Sequence, residues 1–130
     1  MNREQYLRYH QIMCDEARRL SERKNHDYAG KGGEQPFANF QRCEALGICS
    51  TERGFLVRMT DKMSRLASFA EAGKFQVADE KVRDTCIDLI NYTVLLLAYI
   101  DSKDGKTPAI ISSASEYVKQ VDDSYEYMGE

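Results

Sequence analysis

The sequence predicts an all-α protein, a helical bundle of three main helices with one or two short ones. Three observations lead to this prediction. Apolar residues recur with a period of about 3.6 in three long segments, as they do on one face of a helix. No segment alternates polar and apolar residues for long enough to form a strand, and no internal repeat is visible. The length of 130 residues suits a single domain, which can bury roughly two thirds of its unfolded surface.

The first long helix is predicted at about residues 4–24, because its apolar residues share one face and charged residues fill the other. Residues 25–36 contain three glycines and a proline, which predicts a break. A short helix is expected at about residues 38–46, and Gly47 is suited to end it. The apolar positions of the first helix are Tyr6, Tyr9, Ile12, Met13, Cys14, Ala17 and Leu20.

The third predicted helix continues to about residue 72. Ser50 or Thr51 can cap its first turn, and Gly73 is expected to stop it. Its apolar stripe repeats at helical spacing, so we expect that stripe to face the core. The stripe consists of Leu56, Met59, Met63, Leu66 and Ala70.

The fourth helix is predicted from Glu80 to about residue 101, and it is apolar nearly all round after Asn91. Such a helix needs burial on several sides, which the other helices of one chain supply poorly. We therefore expect a homo-oligomer, a dimer or a larger assembly. Residues 103–130 are predicted to be a linker and an acidic tail with one short helix. The sequence thus predicts one domain at residues 1–102 and a tail at residues 103–130.

Charge, apolar run length and cysteine pattern exclude several classes of protein. The net charge of −3 argues against general nucleic-acid binding, although a small phosphorylated ligand needs only a local cationic pocket. The longest apolar run, residues 93–100, is too short to span a bilayer, and no signal peptide opens the chain. The four cysteines form no zinc spacing, and Cys14 and Cys86 are expected to be reduced and buried. We therefore expect a cytoplasmic protein with no membrane partner.

An acidic stripe on the fourth helix is the strongest candidate for chemistry. Glu80, Asp84 and Asp88 recur every four residues and fall within an arc of about 80°, which also contains Asn91. Stacked acids repel by about 0.2–0.5 kcal/mol per pair, so a cation is expected opposite them. That cation can be Mg²⁺, which prefers carboxylate oxygens, or a basic side chain of another helix. The alternative interpretation is a solvated acidic face.

The segment Asp61-Lys62-Met63-Ser64-Arg65 on the third helix is a second candidate. Its charged side is expected to oppose the acids of the fourth helix. Lys62 or Arg65 would then bind a phosphate, and Asp61 would help to hold a metal. The alternative is one surface ion pair between Arg65 and Asp61 at i,i+4 spacing, worth a few tenths of a kcal/mol.

A third candidate lies at the end of the first helix, in residues 24–33. Lys24 offers charge, the glycines allow backbone N–H groups to approach a ligand, and Tyr28 can stack on a base. The alternative is a polar loop whose glycines form turns. Asn39 can orient a base. The five phenylalanines are predicted to be core residues, and these are Phe37, Phe40, Phe55, Phe69 and Phe75.

The order of these motifs resembles one known family. The chain carries K-N-x-D-Y at residues 24–28, D-K-x-x-R-L at residues 61–66, D-E at residues 79–80 and D-L-x-N-Y at residues 88–92. This order is similar to the nucleotide modification associated domain type 1 family, whose members occur in phages and bacteria. That family is similar to the MazG-like all-α nucleoside triphosphate pyrophosphohydrolases, so the resemblance implies a MazG-like bundle. For a phage-encoded member, the compartment is the host cytoplasm.

The resemblance implies a Mg²⁺-dependent enzyme that cleaves a (deoxy)nucleotide between its α and β phosphates. The metal would be held by acids of two helices, and the substrate by basic, aromatic and amide side chains. The expected catalytic residues are Asp84 and Asp88, and the expected metal ligands are Asp61, Glu80, Asp84 and Asp88. The expected substrate-binding residues are Lys24, Asp27, Tyr28, Asn39, Lys62, Arg65 and Asn91.

Two alternatives to the enzyme stay open at this point. The MazG-like pattern has E-x-x-E on one helix and E-x-x-D on the next, whereas this chain has Asp61 and Arg65 in the first and Thr85 at the glutamate position of the second. A binding protein of the same fold would hold a nucleotide or cyclic nucleotide without turnover, as a phage sponge for a defence signal does. A structural oligomer with interhelical ion pairs is the other alternative.

Overall fold

A computed structural model describes residues 1–28, 35–73 and 80–105, except for the side chains of residues 25–28 and 80. These ranges contain four helices and no strand, which confirms the prediction of an all-α protein. The helices are α1 (Arg3–Tyr28), α2 (Ala38–Ala45), α3 (Thr51–Glu71) and α4 (Glu80–Lys103). The chain divides into two compact units, residues 1–96 and residues 97–130, and the division falls within α4. The MazG-like arrangement and the predicted domain boundary at residue 102 stay predictions.

Helix α1 begins at a capping box. The backbone N–H of Gln5 donates to Asn2 Oδ1 at 2.8 Å, and the backbone N–H of Asn2 donates to Gln5 Oε1 at 2.9 Å. The helix ends at Tyr28, four residues beyond the predicted end. The predicted break therefore starts too early, because residues 25–28 contain no glycine or proline that would interrupt the helix.

The turn between α2 and α3 follows local sequence signals. The backbone N–H of Ile48 donates to the Cys43 carbonyl at 2.9 Å across Gly47, whose φ of 73° suits glycine. Ser50 then caps α3, since its Oγ accepts from the backbone N–H of Arg53 at 3.2 Å. Both predicted signals, Gly47 as a stop and Ser50 as a cap, are confirmed.

The core of the first unit is built around Phe40 of α2. Its ring stacks on that of Phe55 of α3, with centroids 3.9 Å apart, and makes a T-shaped contact with the ring of Tyr92 of α4, with centroids 6.0 Å apart. Phe40 and Phe55 are both buried, as predicted. Phe37 and Phe69 are partly buried, and Phe75 lies outside the described residues. Helix α2 thus contacts both α3 and α4 through the ring of Phe40.

The face that α3 turns inward overlaps the predicted stripe only in part. Leu56 and Met63 are each more than half exposed, and Ala70 is also exposed. Met59 and Leu66 of the stripe are partly buried, and the inward face also includes Phe55, which is fully buried, and Lys62. The inward face is therefore rotated by less than one residue, or less than about 100°, relative to the predicted stripe. The reason is the stack of Phe40 on Phe55, which fixes the neighbouring position rather than Leu56 toward α2.

Helices α1 and α4 run in broadly the same direction. Glu16 pairs with Arg83 at 3.4 Å, and Lys24, farther along α1, pairs with Asp88, farther along α4. Because both contacts advance in the same order, the two helices are parallel rather than antiparallel. Helix α3 also contacts α4, through the ion pair of Lys62 with Asp88.

From Lys81 to Lys103, α4 is long and apolar enough to cross a membrane by length and composition alone. Core helices of soluble proteins meet the same criterion, so it is weak evidence for a membrane span. Cys86 on this helix is exposed, so the expectation of a buried thiol is wrong there. The spacing of apolar residues in this segment was not enough to predict which side of α4 faces the core. Cys14 on α1 is partly buried.

In the second unit, the described residues are 97–105, the end of α4 and the turn that follows it. Tyr99 is buried, and Lys103 Nζ lies 5.5 Å from the centroid of its ring. A cation at that distance over an aromatic face is attracted by the ring.

Candidate functional site

Asp88 of α4 lies between two lysines from different helices. Lys24 Nζ of α1 is 2.9 Å from Asp88 Oδ1, and Lys62 Nζ of α3 is 3.0 Å from Asp88 Oδ2. The side chains of Asp88 and Lys62 are only 15% and 13% exposed, whereas that of Lys24 is 47% exposed. The cation opposite this member of the acidic stripe is therefore a pair of basic side chains. The sequence alone did not decide whether this cation would be a metal ion or a basic side chain.

Two opposed effects act on the pKa of Asp88. Burial would raise it, because a low-dielectric environment disfavours the charged carboxylate. The hydrogen bonds and positive charges of Lys24 and Lys62 act in the other direction, and the pKa lies below its usual value. Asp88 is thus a carboxylate at neutral pH, held ionised by its two partners.

A cleft of about 300 Å³ opens beside Asp88. Residues from all four helices, together with Pro36 before α2, form its lining. They are Ser21, Lys24, Pro36, Asn39, Phe40, Arg58, Asp88, Asn91, Tyr92 and Leu95. A volume of roughly 300 Å³ is at the small end of the range for ligand pockets. Its lining combines polar and charged residues with two aromatic residues, Phe40 and Tyr92.

The charged residues at the cleft are mostly cationic. Lys24 and Arg58 line it, Lys62 lies behind Asp88, and Asp88 is the one acid among the lining residues that the structure describes. Three positive charges minus one negative charge leave a net charge of +2. Within the described part of the chain, Arg58 has no carboxylate partner, unlike the two lysines. The cleft is therefore suited to a negatively charged ligand.

Two asparagines supply hydrogen-bonding groups to the cleft. Asn39 of α2 is partly buried at its edge. Asn91 Nδ2 is buried and has no hydrogen-bond partner among the residues that the structure describes. Leaving a buried donor unpaired costs about 1–3 kcal/mol. A ligand acceptor or a water molecule in the cleft would remove this cost.

The other predicted metal ligands do not gather around Asp88 in the described part of the chain. Asp61 pairs with Arg65 at 3.3 Å, and both are exposed. Asp84 is exposed, and the side chain of Glu80 lies outside the described residues. No group of three His, Cys, Asp or Glu side chains suited to a metal occurs among the residues described. Those residues do not fit a preformed Mg²⁺ site, since Asp88 already has two cations.

At the glutamate position of the MazG-like pattern, Thr85 faces the interior. It is buried, and its hydroxyl donates to the Lys81 carbonyl of the same helix at 2.7 Å. A side chain bonded in this way to its own helix offers no metal ligand comparable to a carboxylate.

The structure brings together part of the predicted site. Lys24, Asn39, Asp88 and Asn91 all line the cleft, although they come from three helices. Lys62 contacts the site through Asp88. The predicted site residues outside the lining are Asp61, Arg65 and Asp84. Asp27 and Tyr28 belong to the last turn of α1, and their side chains lie outside the described residues.

Several lining residues were not predicted as site residues. Arg58 lies one turn before Lys62 on α3, so its helical spacing is a signal that could have identified it. Phe40 was predicted to be a core residue, and Tyr92 belongs to the D-L-x-N-Y motif; here both also line the cleft. Ser21, Pro36 and Leu95 carry no sequence signal for a site.

Comparison of this chain with protein-family models, with curated proteins and with solved structures finds no significant match. The resemblance to the nucleotide modification associated domain type 1 family therefore stays a prediction from the motifs.

Proposed function

We propose that the cleft binds a small phosphorylated nucleotide. The observation that carries this proposal is that cationic and aromatic residues line the same cleft. Lys24 and Arg58 offer cations for phosphate, while the partly buried Tyr92, packed against Phe40, offers an aromatic surface for a base. Binding without turnover is favoured because the described carboxylates do not cluster as metal ligands do.

The charge of the cleft supports an anionic ligand over a cationic one. Asp88 has each oxygen within 3.0 Å of a lysine, so its charge is compensated. Arg58 adds a positive charge that pairs with no carboxylate among the described residues, and its planar guanidinium can donate two parallel hydrogen bonds to a phosphate. A phosphate group thus matches the chemistry that the cleft offers.

The amide and aromatic groups support a base beside the phosphate. A purine or pyrimidine has a flat π-face that packs on aromatic rings, at roughly 1–3 kcal/mol per stacked base. The buried Asn91 Nδ2 requires an acceptor, which ring nitrogens and carbonyl groups of bases provide. Asn39 lies on the same cleft and offers both a donor and an acceptor.

Calorimetric titration of the full chain with a nucleotide panel tests the proposal. The panel contains ATP, GTP, CTP, UTP, dTTP, cyclic AMP and adenosine, in buffer with EDTA. We expect at least one nucleotide to bind, and adenosine to bind roughly tenfold or more weakly than ATP because it lacks the charged group. Absence of binding by the whole panel, or equal binding of adenosine and ATP, would contradict the proposal.

A matched pair of arginine variants on α3 locates the binding site. Arg58→Ala removes a cation of the cleft lining, whereas Arg53→Ala removes an exposed cation outside it. Both lower the net charge by one. We expect Arg58→Ala to weaken nucleotide binding about five- to tenfold and Arg53→Ala to weaken it less than about twofold. Equal losses would indicate nonspecific attraction rather than binding in the cleft.

Mg²⁺-dependent pyrophosphohydrolysis is the second candidate function. The observation that favours it is the position of Asp84, one turn before Asp88, exposed and without an ion pair among the described side chains. Incubation with nucleoside triphosphates and MgCl₂ would release a monophosphate and pyrophosphate. Turnover that is lost in Asp84→Asn supports this candidate, and unchanged triphosphate supports binding alone.

A homo-oligomer in the cytoplasm is the proposed setting for this function. Several large apolar side chains are exposed in the single chain, and a second copy would shelter them. They include Leu46, Ile48, Val57 and Met63. All four cysteines are free of disulfides, as is usual in reducing compartments. Light scattering after size exclusion should give a mass of at least twice that of the chain, and a monomer would contradict this proposal.

A further inference from the structure

The two lysines that hold Asp88 differ in their access to the cleft. Lys24 lines the cleft and is 47% exposed. Lys62 is 13% exposed and contacts Asp88 from outside the lining. A ligand in the cleft can therefore reach Lys24 directly, whereas it meets Lys62 only through the carboxylate between them.

Asp88 and a bound phosphate would share Lys24. The ammonium group has three N–H donors, so it can approach both anions. The two anions would then lie close together in a partly buried site and repel each other, because Coulomb energies rise as the local dielectric falls. The remaining positive charge in direct contact with Asp88 is Lys62, at 3.0 Å from Oδ2. Lys62 thus decides how strongly Asp88 competes with the ligand for Lys24.

We propose that Lys62 is a positioning residue, which neutralises Asp88 so that Lys24 can transfer from Asp88 to the phosphate of the ligand. This inference rests on the proposed function, because it requires an anionic ligand in the cleft. Asp88 and the phosphate thus compete for Lys24. The affinity for the ligand is therefore lower than it would be if the same cations were present without Asp88. Lys62 raises affinity without touching the ligand.

A double-mutant cycle with Lys62→Met and Asp88→Asn tests this role. Binding of ATP and of inorganic pyrophosphate is measured in EDTA for wild type, both single variants and the double variant. We expect Asp88→Asn to bind both probes about tenfold more tightly, because a like charge near the phosphate is removed. Lys62→Met should bind about tenfold more weakly, since Asp88 then holds Lys24 alone.

The decisive comparison is the effect of Lys62→Met in the two backgrounds. If Lys62 acts through Asp88, its replacement changes affinity less than about twofold once Asp88 is asparagine. If Lys62 attracts the phosphate directly, the same loss appears in both backgrounds and the inference is overturned. Lys62→Arg keeps the charge and should retain wild-type affinity within about threefold.

Two controls separate this effect from net charge and from unfolding. Glu71→Gln removes one exposed negative charge nine residues after Lys62 on α3, about 13 Å along the helix, and should change affinity less than about twofold. Circular dichroism establishes that each variant is folded at the temperature of the titration. If Lys62→Met does not fold, Lys62→Gln replaces it in the cycle, because it removes the charge and keeps a hydrogen-bond donor toward Asp88. A loss that disappears in the Asp88→Asn background supports the inference, and an equal loss in both backgrounds overturns it.

The outcomes distinguish this inference from the proposed function. Wild type that binds nucleotides with no gain in Asp88→Asn overturns the inference and leaves the proposed function standing. Binding of ATP by Asp88→Asn alone supports Asp88 as a competitor and overturns nucleotide binding by the natural chain. No binding by either protein overturns both.

Discussion

The inner and outer faces of α3 carry the same kinds of residue, but only the inner face builds a site. On the inner face, Phe55 is fully buried and Lys62 pairs with Asp88 of α4, with both charged side chains 13–15% exposed. On the outer face, Leu56 is exposed, and Asp61 pairs with Arg65 of the same helix, with 56–57% of each side chain exposed. The inner pair joins two helices, whereas the outer pair joins consecutive turns of one helix. Position relative to the bundle, rather than residue type, separates structural and solvated roles.

The largest difference between the faces is expected from adjacent apolar residues. Phe55→Ala removes a fully buried ring that stacks on Phe40, and should lower the free energy of unfolding by about 3–5 kcal/mol. Leu56→Ala removes a mostly exposed side chain and should change it by less than about 0.5 kcal/mol. Urea denaturation followed by circular dichroism measures both. Similar losses in the two variants would mean that Leu56 is also buried, for instance against a second copy, and the Leu56 loss would then depend on protein concentration.

The charged residues of the two faces give the second comparison. Lys62→Met leaves the mostly buried Asp88 with Lys24 as its one described partner, and should cost about 1–3 kcal/mol of stability. Arg65→Met breaks an exposed i,i+4 pair and should cost about 0.2–0.5 kcal/mol. Denaturation midpoints at low and high salt measure the two losses, and salt should reduce only the loss in Arg65→Met appreciably. A larger loss for Arg65→Met would reverse the assignment of the faces.

Acid should remove the contribution of the inner pair. The pKa of Asp88 is lower in the folded chain than its usual unfolded value of about 3.9. The unfolded state therefore binds a proton first, and stability falls as the pH drops below about 4 toward the folded pKa. The contribution is fully present at neutral pH. We expect the stability difference between wild type and Asp88→Asn to be largest at pH 7 and to shrink at pH 3.5. A constant difference would show that it does not come from the charge of Asp88.

The helices were predictable because their ends depend on neighbouring residues. Gly47 and Ser50 act within one turn of the chain, and the structure places the end of α2 and the start of α3 at these residues. The end of α1 was predicted four residues too early. The prediction ended the helix at about residue 24, although the first glycine that could interrupt it is Gly30. Local signals therefore predict the presence of a helix more reliably than they predict the residue at which it ends.

The candidate site was only partly predictable, because it depends on contacts between distant residues. Lys24 and Asp88 are separated by 64 positions, and no spacing rule joins them. Spacing alone placed Asp84 and Asp88 on one stripe, but the rotation of α4 against α1 and α3 leaves Asp84 exposed and brings Asp88 between two lysines. Periodicity gives relative positions on a helix, and packing decides which of them face a partner. The rotation of α3 was mispredicted for the same reason.

A small effect of the opposite sign, a gain in stability, is expected at Gly54, at the contact of α3 with α2. Gly54 is buried, and a Cβ atom there would lie 3.6 Å from the Phe40 carbonyl oxygen and 3.8 Å from Cys43 Sγ, which is ordinary van der Waals contact. Alanine therefore fits without displacing α2, and it removes the entropic cost of glycine in a helix. We expect Gly54→Ala to raise the free energy of unfolding by about 0.5–1 kcal/mol. Gly54→Leu, whose branched side chain extends beyond this space, should lower it by about 1–3 kcal/mol. Urea denaturation of the two variants measures this contrast, and a loss of stability in Gly54→Ala would mean that α2 packs on α3 too closely for a methyl group.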